Sequence, residues 1–440
     1  MSIDPTSPAE TGATTAVSAP AGHKQTVVVL FGGRSSEHAI SCATAGGVLS
    51  AIDRDRYDVV PVGITRDGAF TLQPDDAGAF SLSADSLPGV VDNGTRVHWP
   101  ESTSSRELSV VEPDGSVRLL GAVDVVFPIL HGRFGEDGTV QGLLELVGLP
   151  YVGAGLLASS VGMDKHFTKT VLQAAGIAVA PWRTVRRRAW QDDPAQVTAD
   201  VADLGFPVFV KPARAGSSVG VSRVDSEAGL AAAMEVGLAE DGKVLVEAAV
   251  VGREIECAVL GGRDGGAPRT SVGGEIVLGG ETFYDFESKY LGAPGADLVC
   301  PAALAADDLA EMQRLAALAF DAVDGTGLSR VDFFLTDDGW VINEINTMPG
   351  FTPISMFPAC WLASGLSYPE LITELIELGL ETERCERRRD RSRGGAGRLR
   401  GPASPRCRGG PRRRRSRGRR SAGTPPRPPG RTARCCPPRP

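Results

Sequence analysis

Apolar strands that end in glycine and lead into helices place the strongest constraint on the fold. The run TVVVLF at 26–31 is rich in β-branched residues, meets Gly32 and Gly33, and precedes a helical pattern. Repetition of this unit is typical of a parallel sheet covered by helices, so it predicts an α/β fold. The pattern predicts strands over 26–31, 57–64 and 123–130, helices over 37–51 and 139–147, and a polar, turn-rich surface insertion over 66–118.

Two further units of mixed helices and strands follow the first one. The second opens near Gly155, and the third begins near Gly252. The second is predicted to contain a helix over 164–175, strands over 207–211 and 244–249, and a Gly/Ser loop over 215–220. The third is predicted to contain strands over 255–260, 271–277, 329–335 and 340–345, with helices over 304–323 and 369–380.

The net charge of −8 conceals an abrupt change near residue 384. Residues 384–440 hold 21 Arg and two acidic residues, a charge of +19, whereas residues 1–383 carry −27. This tail has a single Leu and no other large apolar residue, so it cannot form a core. An arm that binds nucleic acid is one interpretation. We favour a non-native product of a shifted reading frame or a disordered tail, and we expect no nucleic-acid partner for the folded body.

Membrane and secretion signals are not apparent in the sequence. The uncharged stretches 146–163 and 345–369 are interrupted by Pro, Gly or polar residues, so neither predicts a spanning helix. Residues 1–25 lack the apolar block of a signal peptide and are predicted to be a disordered extension. The four cysteines outside the tail are isolated, which predicts neither a disulfide framework nor a zinc site. We therefore expect a cytoplasmic protein with no membrane partner.

Two glycine-containing turns have the chemistry of anion sites. The first turn reads FGGRSSE, and Asp53 follows it by about twenty residues. An acidic residue at that distance is typical of dinucleotide-binding domains, so such a domain is an alternative, although the GxGxxG spacing is absent. In the second, an apolar strand delivers Lys211 beside the loop ARAGSSVG at 213–220. A lysine ammonium with loop amides and hydroxyls suits a polyphosphate, and the spacing is not that of the ordinary P-loop.

Acidic and amide side chains alternate with apolar residues along two neighbouring strands. Alternation places Arg330 and Asp332 on one face of the first strand, and Glu344 and Asn346 on one face of the second. The sequence TDDG between the strands predicts a hairpin turn. Carboxylate and amide oxygens would then lie together, and these are the ligands that Mg²⁺ prefers beside substrate phosphates. The sequence thus predicts a magnesium site next to an arginine.

Two other features are candidates for the site. The segment FYDFESKYL at 283–291 has the composition of a mobile lid and contains Lys289 and Tyr290, with a surface loop as the alternative. His131 ends an apolar strand at the rim where α/β domains usually bind ligands, with a structural role as the alternative.

Five motifs in series resemble those of the ATP-grasp superfamily and, within it, of the D-alanine–D-alanine ligases. They are HGRFGEDGTVQG (131–142), MDK (163–165), KPxRxGSSVG (211–220), FYDFESKY (283–290) and NEINTMPGFT (343–352). The resemblance covers about residues 26–381 and implies a three-domain ATP-grasp fold. Its implied parts are a parallel-sheet α/β substrate domain over 26–153, a small central α+β subdomain over 154–251, and an antiparallel-sheet α+β subdomain over 252–383 with a lid at 280–300.

The resemblance implies ATP-dependent ligation of two D-alanines for peptidoglycan precursors. In the family, ATP phosphorylates the carboxylate of the first D-alanine. The amine of the second D-alanine attacks the resulting acyl phosphate, so that ADP and phosphate are released. ATP and two Mg²⁺ or Mn²⁺ ions are the implied cofactors, and a homodimer is the implied assembly.

The same resemblance implies roles for individual residues. Contacts to ATP are implied for Lys165, Lys211, Glu247, Glu254 and Lys289. Metal ligands are implied at Asp332, Glu344 and Asn346. Glu37 is implied to bind the first ammonium, with Ser217 and Tyr290 holding it. Arg330 and Gly350 match an oxyanion site, and substrate contacts are implied for His131, Ser355 and Met356.

Three departures and two alternatives accompany the resemblance. Ala248 stands where a lysine is common in the family, residues 66–118 are longer than the compact members require, and the tail from Arg384 has no counterpart there. The closest alternative is a ligase that joins D-alanine to D-lactate, but Tyr290 in the lid favours an amine acceptor. Another ATP-grasp carboxylate–amine ligase is the remaining alternative.

Overall fold

The computed structural model describes residues 24–82, 87–279 and 296–395. Lys289 and Tyr290, most of the predicted lid and most of the Arg-rich tail lie outside these ranges. Among the described residues, no helix combines the length and the apolar character needed to cross a membrane.

The first unit is the predicted parallel layer. In spatial order its strands are β3 (Phe70–Leu72), β2 (Tyr57–Ile64), β1 (Gln25–Gly32) and β7 (Val125–Ile129). Strand β1 runs parallel to β2 and β7, and helices α1 (His38–Ala51) and α2 (Thr139–Val147) cover the two faces. Val29 packs in the core that includes α1, whereas Val28 and Leu30 pack with α2, because successive side chains point to opposite faces. The β-branched run is therefore buried on both sides.

The insertion at 66–118 is more regular than its composition indicates. Besides β3, it contributes to a separate antiparallel sheet made of β4 (Arg96–His98), β5 (Glu107–Val111) and β6 (Val117–Ala122). Leu108 and Val110 are fully buried and belong to the same core as Val28. The prediction of a turn-rich segment is wrong for these strands. Strand β4 has three residues, and β6 is exposed along most of its length, so neither has a clear apolar alternation.

The second unit contains a small sheet with antiparallel neighbours. Its strands in spatial order are β10 (Ser222–Val224), β9 (Val208–Pro212), β11 (Lys243–Ala248) and β8 (Trp182–Arg186). The helices of this region are α3 (Leu156–Met163), α4 (Lys165–Ala174), α5 (Arg187–Asp192), α6 (Pro194–Ala202) and α7 (Leu230–Glu240). Alternation along β9 buries Val208 and Val210 in the core and leaves Phe209 and Lys211 for the opposite face, where they line a cleft.

The third unit is a larger antiparallel sheet. Its strands in spatial order are β14 (Ala296–Val299), β13 (Arg269–Leu278), β12 (Arg253–Leu260), β15 (Leu328–Thr336) and β16 (Gly339–Asn346). Its helices are α8 (Ala306–Ala322), α9 (Met356–Ala363) and α10 (Tyr368–Gly395). The predicted hairpin is confirmed: Asp332 pairs with Glu344 and Arg330 with Asn346 across β15 and β16.

One continuous apolar core joins the first and third units. The rings of Phe127 on β7 and Phe351 before α9 lie 6.0 Å apart in an edge-to-face arrangement. Leu371 and Leu375 of α10 are completely buried in the same cluster. This core fixes the end of β16 and the start of α9 against the parallel sheet.

Candidate active site

A cleft with a cavity volume of about 390 Å³ lies between the sheets of the second and third units. Strands β9 and β11 and the Gly/Ser loop supply one wall, and β12, β15 and β16 supply the other. Eight predicted site residues line it: Lys165, Lys211, Ser217, Glu247, Glu254, Arg330, Asp332 and Glu344.

A second cavity of about 90 Å³ adjoins the first on the side of the parallel sheet. Its lining adds four more predicted residues, namely Glu37, His131, Asn346 and Gly350. Lys165, Ser217, Arg330 and Glu344 line both cavities, so the two are neighbouring parts of one site. Fold elements from all three units therefore converge here, as the sequence predicts.

Arg330 organises the acidic face of the hairpin. Its Nε and Nη2 donate to the two carboxylate oxygens of Asp332 at 2.7 and 2.8 Å, and Nε lies 3.1 Å from Glu256 Oε2. Asn346 Nδ2 also donates to Asp332, at 2.9 Å. Burial opposes the charge of Arg330, but Asp332 and Glu256 outweigh it and raise the pKa of the guanidinium well above its ordinary value. A permanent positive charge thus lies beside the carboxylates.

The hairpin has a donor set that suits a metal shared with substrate. Within the described residues, no group of three or more His, Cys, Asp or Glu side chains is arranged to hold a metal ion. Asp332 and Glu344 are opposite each other and supply two carboxylates, while Asn346 supplies an amide. Mg²⁺ is usually bound by one or two carboxylates together with substrate phosphates and water. The three side chains therefore fit Mg²⁺ bound together with a nucleotide.

Two lysines bring positive charge to the cleft from different elements. Lys165, at the start of α4, donates to the carbonyl oxygen of Ala215 at 2.9 Å and lies 3.4 Å from Glu344 Oε2. Lys211, on β9, donates to Asn343 Oδ1 at 3.3 Å. Together the two ammonium groups supply charge of the kind that binds a polyphosphate.

Glu37 is held between two glycine-containing loops. Its side chain is nearly buried, and Ser217 Oγ donates to Oε1 at 2.6 Å. Gly132 has a φ of 75°, which favours glycine, and a Cβ there would approach Glu37 Oε2 to 2.6 Å. A Cβ at Gly216 would approach the same oxygen to 3.2 Å, so both loops lie close to the carboxylate. Ser217 and Ser218 have positive φ angles of 49° and 58°, a strained conformation that is common at functional loops. The loop thereby links the second unit to a carboxylate of the first.

Glu136 lines the smaller cavity, and sequence analysis missed it as a site residue. It accepts a hydrogen bond from the N–H of Gly132 at 2.5 Å. Burial, followed by the negative charge of Glu37, raises the pKa of its carboxyl to about 8. Burial also lowers the pKa of His131, whose Nδ1 lies 3.2 Å from the carbonyl oxygen of Met348. The position of Glu136 inside the HGRFGEDG motif is the sequence signal that identifies it.

Two buried ion pairs between α4 and β11 were also missed. Asp164 caps α4 by accepting hydrogen bonds from two N–H groups of its first turn, at 3.2 and 3.5 Å, and pairs with Lys243. One turn into the helix, Lys169 Nζ lies 3.3 Å from Glu247 Oε2. No local sequence signal identifies these pairs, because the partners in each pair are far apart in the sequence.

Ser355 and Met356 lie at the start of α9 and line neither cavity. Ser355 Oγ accepts a hydrogen bond from the N–H of Thr352 at 3.2 Å. Met356 packs so closely on β13 that a Cβ at Gly274 would overlap its Sδ. Contact of these two residues with a substrate stays a prediction.

Two family models match most of the chain. The model described as D-ala D-ala ligase N-terminus matches residues 26–154, and the one described as D-ala D-ala ligase C-terminus matches residues 171–377. The chain belongs to the D-alanine–D-alanine ligase family. The predicted enzyme class, an ATP-dependent ligase, is confirmed by this membership.

The match to relatives in the ligase family covers nearly the whole length of those relatives. A D-alanine–D-alanine ligase of Pseudarthrobacter chlorophenolicus is 57% identical over 365 residues, which span 82% of this chain and 96% of that protein. One of Streptomyces coelicolor is 53% identical over 365 residues, or 80% of this chain and 92% of that protein.

Solved ligase structures have the same fold. The D-alanine–D-alanine ligase from Coxiella burnetii has a TM-score of 0.72 at 35% identity and covers 86% of this chain and 100% of its own. VanG, a D-Ala:D-Ser ligase from Enterococcus faecalis, has a TM-score of 0.69 at 33% identity and covers 81% of this chain and 100% of its own. The predicted α/β class with α+β elements, in the ATP-grasp arrangement, is confirmed.

Proposed function

We propose that this chain joins two D-alanines to D-alanyl-D-alanine in an ATP-dependent reaction that supplies peptidoglycan precursors. Family membership and relatives at 57% identity support this substrate, and the prediction made from the sequence is confirmed to that extent. The observation that carries the proposal is the pair of adjoining cavities. Lysines and the acidic hairpin face the larger cavity, and Glu37 faces the smaller one.

The larger cavity is the proposed ATP site. Lys165 and Lys211 would bind the phosphates, because their ammonium groups line the cavity. Glu247 and Glu254 would contact the adenine and ribose sides. The metal ligands would be Asp332, Glu344 and Asn346. Two Mg²⁺ or Mn²⁺ ions, when bound, supply positive charge to the transferred phosphoryl group.

The smaller cavity is the proposed site of the first D-alanine. Glu37, oriented by Ser217, would bind the ammonium group, and His131 would contact the substrate nearby. The substrate carboxylate would attack the γ-phosphorus of ATP, giving an acyl phosphate and ADP. Phosphorylation is needed because a free carboxylate is a poor electrophile.

The second D-alanine would then react at the acyl carbon. Its neutral amine attacks the acyl carbon and a tetrahedral intermediate forms. The C–O bond to the phosphoryl group then breaks, and phosphate leaves with the proton that the nitrogen loses. Arg330 and the N–H of Gly350 line the smaller cavity, where they would stabilise the oxyanion of this intermediate. Ser355 and Met356 would hold the second carboxylate. Lys289 and Tyr290, outside the described residues, would act from the lid on the γ-phosphate and on Glu37.

The proposal also covers the oligomeric state, the cellular compartment and the domain boundaries. By resemblance to the family we propose a homodimer in the cytoplasm. We also propose domains over 26–153, 154–251 and 252–383. The D-alanine–D-lactate alternative is not favoured by the relatives at 50–57% identity, which are D-alanine–D-alanine ligases.

The test of this function measures product and phosphate together. The full chain is incubated with ATP, Mg²⁺ and D-alanine, and the dipeptide is identified by mass spectrometry. We expect one molecule of D-alanyl-D-alanine for each phosphate released. Parallel reactions offer L-alanine or D-lactate as the acceptor for comparison. Preferred ester formation with D-lactate would refute the acceptor, and absence of D-alanine-dependent phosphate release would refute the ligase reaction.

A further inference from the structure

The carboxylate of Glu247 lies between two lysines, of which one faces the cleft and one does not. Lys211 Nζ is 3.5 Å from Glu247 Oε2 and lines the larger cavity. Lys169 Nζ is 3.3 Å from the same oxygen, but its side chain is only 2% exposed and lies behind the cavity wall. Lys165 and Lys169 are one turn apart on α4, so they share a helix face. Lys165 lines the cavity, whereas Lys169 is buried and does not line it.

The charge of Glu247 creates a problem for an anion in this cleft. Its side chain is 3% exposed, so water screens the carboxylate poorly. An unpaired carboxylate there would repel a polyphosphate and would also compete with it for Lys211. The neighbouring residue on β11, Ala248, supplies no cation.

We propose that Lys169 is a positioning residue that pairs with Glu247 from behind the wall, which leaves Lys211 available to the phosphates of the nucleotide. The proposal rests on the proposed function of the larger cavity as the ATP site. Lys169 itself touches no substrate: it acts through Glu247. The effect is therefore expected in nucleotide affinity and not in affinity for D-alanine.

Lys169 is a buried cation whose charged form is favoured by Glu247 and opposed overall by its surroundings, with a net lowering of its pKa. Burial lowers the pKa of Lys169, and Lys211 lowers it further, whereas Glu247 raises it. Removal of Glu247 would thus leave a buried cation without a partner, and removal of Lys169 would leave a buried anion. Removal of both Lys169 and Glu247 would leave neither of these buried charges.

A purely structural role for the pair is the competing explanation, and the fold contains a matched control for it. Lys243 and Asp164 form a second buried ion pair between the same helix and the same strand. Neither of these two residues lines the cleft. If docking of α4 were the whole role, loss of either lysine would have similar consequences.

The test compares Lys169→Met with Lys243→Met by calorimetric titration of a non-hydrolysable ATP analogue in the presence of Mg²⁺, together with melting temperatures. We expect Lys169→Met to weaken nucleotide binding by about tenfold or more, because Glu247 would then have Lys211 as its remaining lysine partner and would compete with the phosphates for it. Lys243→Met should lower the melting temperature with a change in affinity below about twofold, since neither Lys243 nor its partner Asp164 lines the cleft. Equal losses of affinity in both variants would overturn the proposal.

A second comparison keeps the proposal testable if Lys169→Met does not fold. In the Glu247→Gln background, Lys169→Met should change analogue affinity by less than about twofold, because there is no longer a charge to compensate. A further loss of about tenfold in that background would overturn the proposal. Failure of the wild-type chain to bind the analogue would instead refute the ATP site itself, so the two failures are distinguishable.

Discussion

Glu136→Gln is expected to change how the stability of the chain depends on pH. Burial raises the pKa of the Glu136 carboxyl from its ordinary 4.5 to about 8 in the folded state. Between these two pH values the folded chain retains a proton that the unfolded chain has released. Stability therefore falls as pH rises through this window, by up to about 1.4 kcal/mol for each pH unit. Glutamine cannot ionise, so the variant lacks this contribution.

The assay is urea unfolding of both proteins at several pH values from about 5 to 8. His38, His131 and His166 have lowered pKa values and are present in both proteins, so the difference between the two curves reports chiefly on Glu136. We expect the wild type to lose stability relative to Glu136→Gln as pH rises. Glu101→Gln, at an exposed glutamate, is the control and should give a curve parallel to the wild type.

A specific result would refute this reasoning. If the free energy of unfolding of Glu136→Gln differed from that of the wild type by a constant amount across the whole range, Glu136 would be ionised in the folded chain. The hydrogen bond from the Gly132 N–H and contact with solvent would then lower the pKa of Glu136 by more than burial and the charge of Glu37 raise it.

Three further predictions concern the site and the tail. Ser217→Ala removes a hydrogen bond to a carboxylate, worth about 1.5–3 kcal/mol, so KM for D-alanine should rise about tenfold or more in initial-rate assays while KM for ATP changes less. Glu344→Gln should keep its circular dichroism spectrum but lose Mg²⁺-dependent turnover by about two orders of magnitude or more, and near-normal turnover would exclude the metal role. Removal of residues 396–440 should leave the melting temperature and the ligase rate nearly unchanged, because this segment has almost no apolar residues to bury.

The hairpin of the site could be predicted from the sequence because its contacts are local. Arg330 and Asp332 are two residues apart, and a short turn fixes the strand that carries Glu344 and Asn346. Alternation between Arg330 and Asp332, and between Glu344 and Asn346, then determines that these side chains share a face, although the pairing register shifts directly after Asp332. Strands β1, β2 and β7 could be predicted for a different reason, since each one is rich in β-branched and other apolar residues.

The buried charges could not be predicted, since their partners are distant in the sequence. Lys169 and Glu247 are individually unremarkable residues of a helix and a strand, and only the packing of α4 on β11 brings them to 3.3 Å. The raised pKa of Glu136 likewise depends on Glu37 and on burial, neither of which is a property of its own segment. The catalytic and binding roles of the site residues stay predictions.

The double role of Asp164 has a consequence for the order in which the chain is assembled during synthesis. The aspartate caps α4 through one carboxylate oxygen and pairs through the other with Lys243, which is 79 residues further along the chain. A ribosome therefore releases the helix long before its partner strand. Before Lys243 has been synthesised, Asp164 can cap α4 favourably only while its carboxylate stays in water, because burial of an unpaired charge is unfavourable. We therefore expect the nascent helix to dock stably only after β11 has emerged, which would make the packing of the second unit a late event in translation.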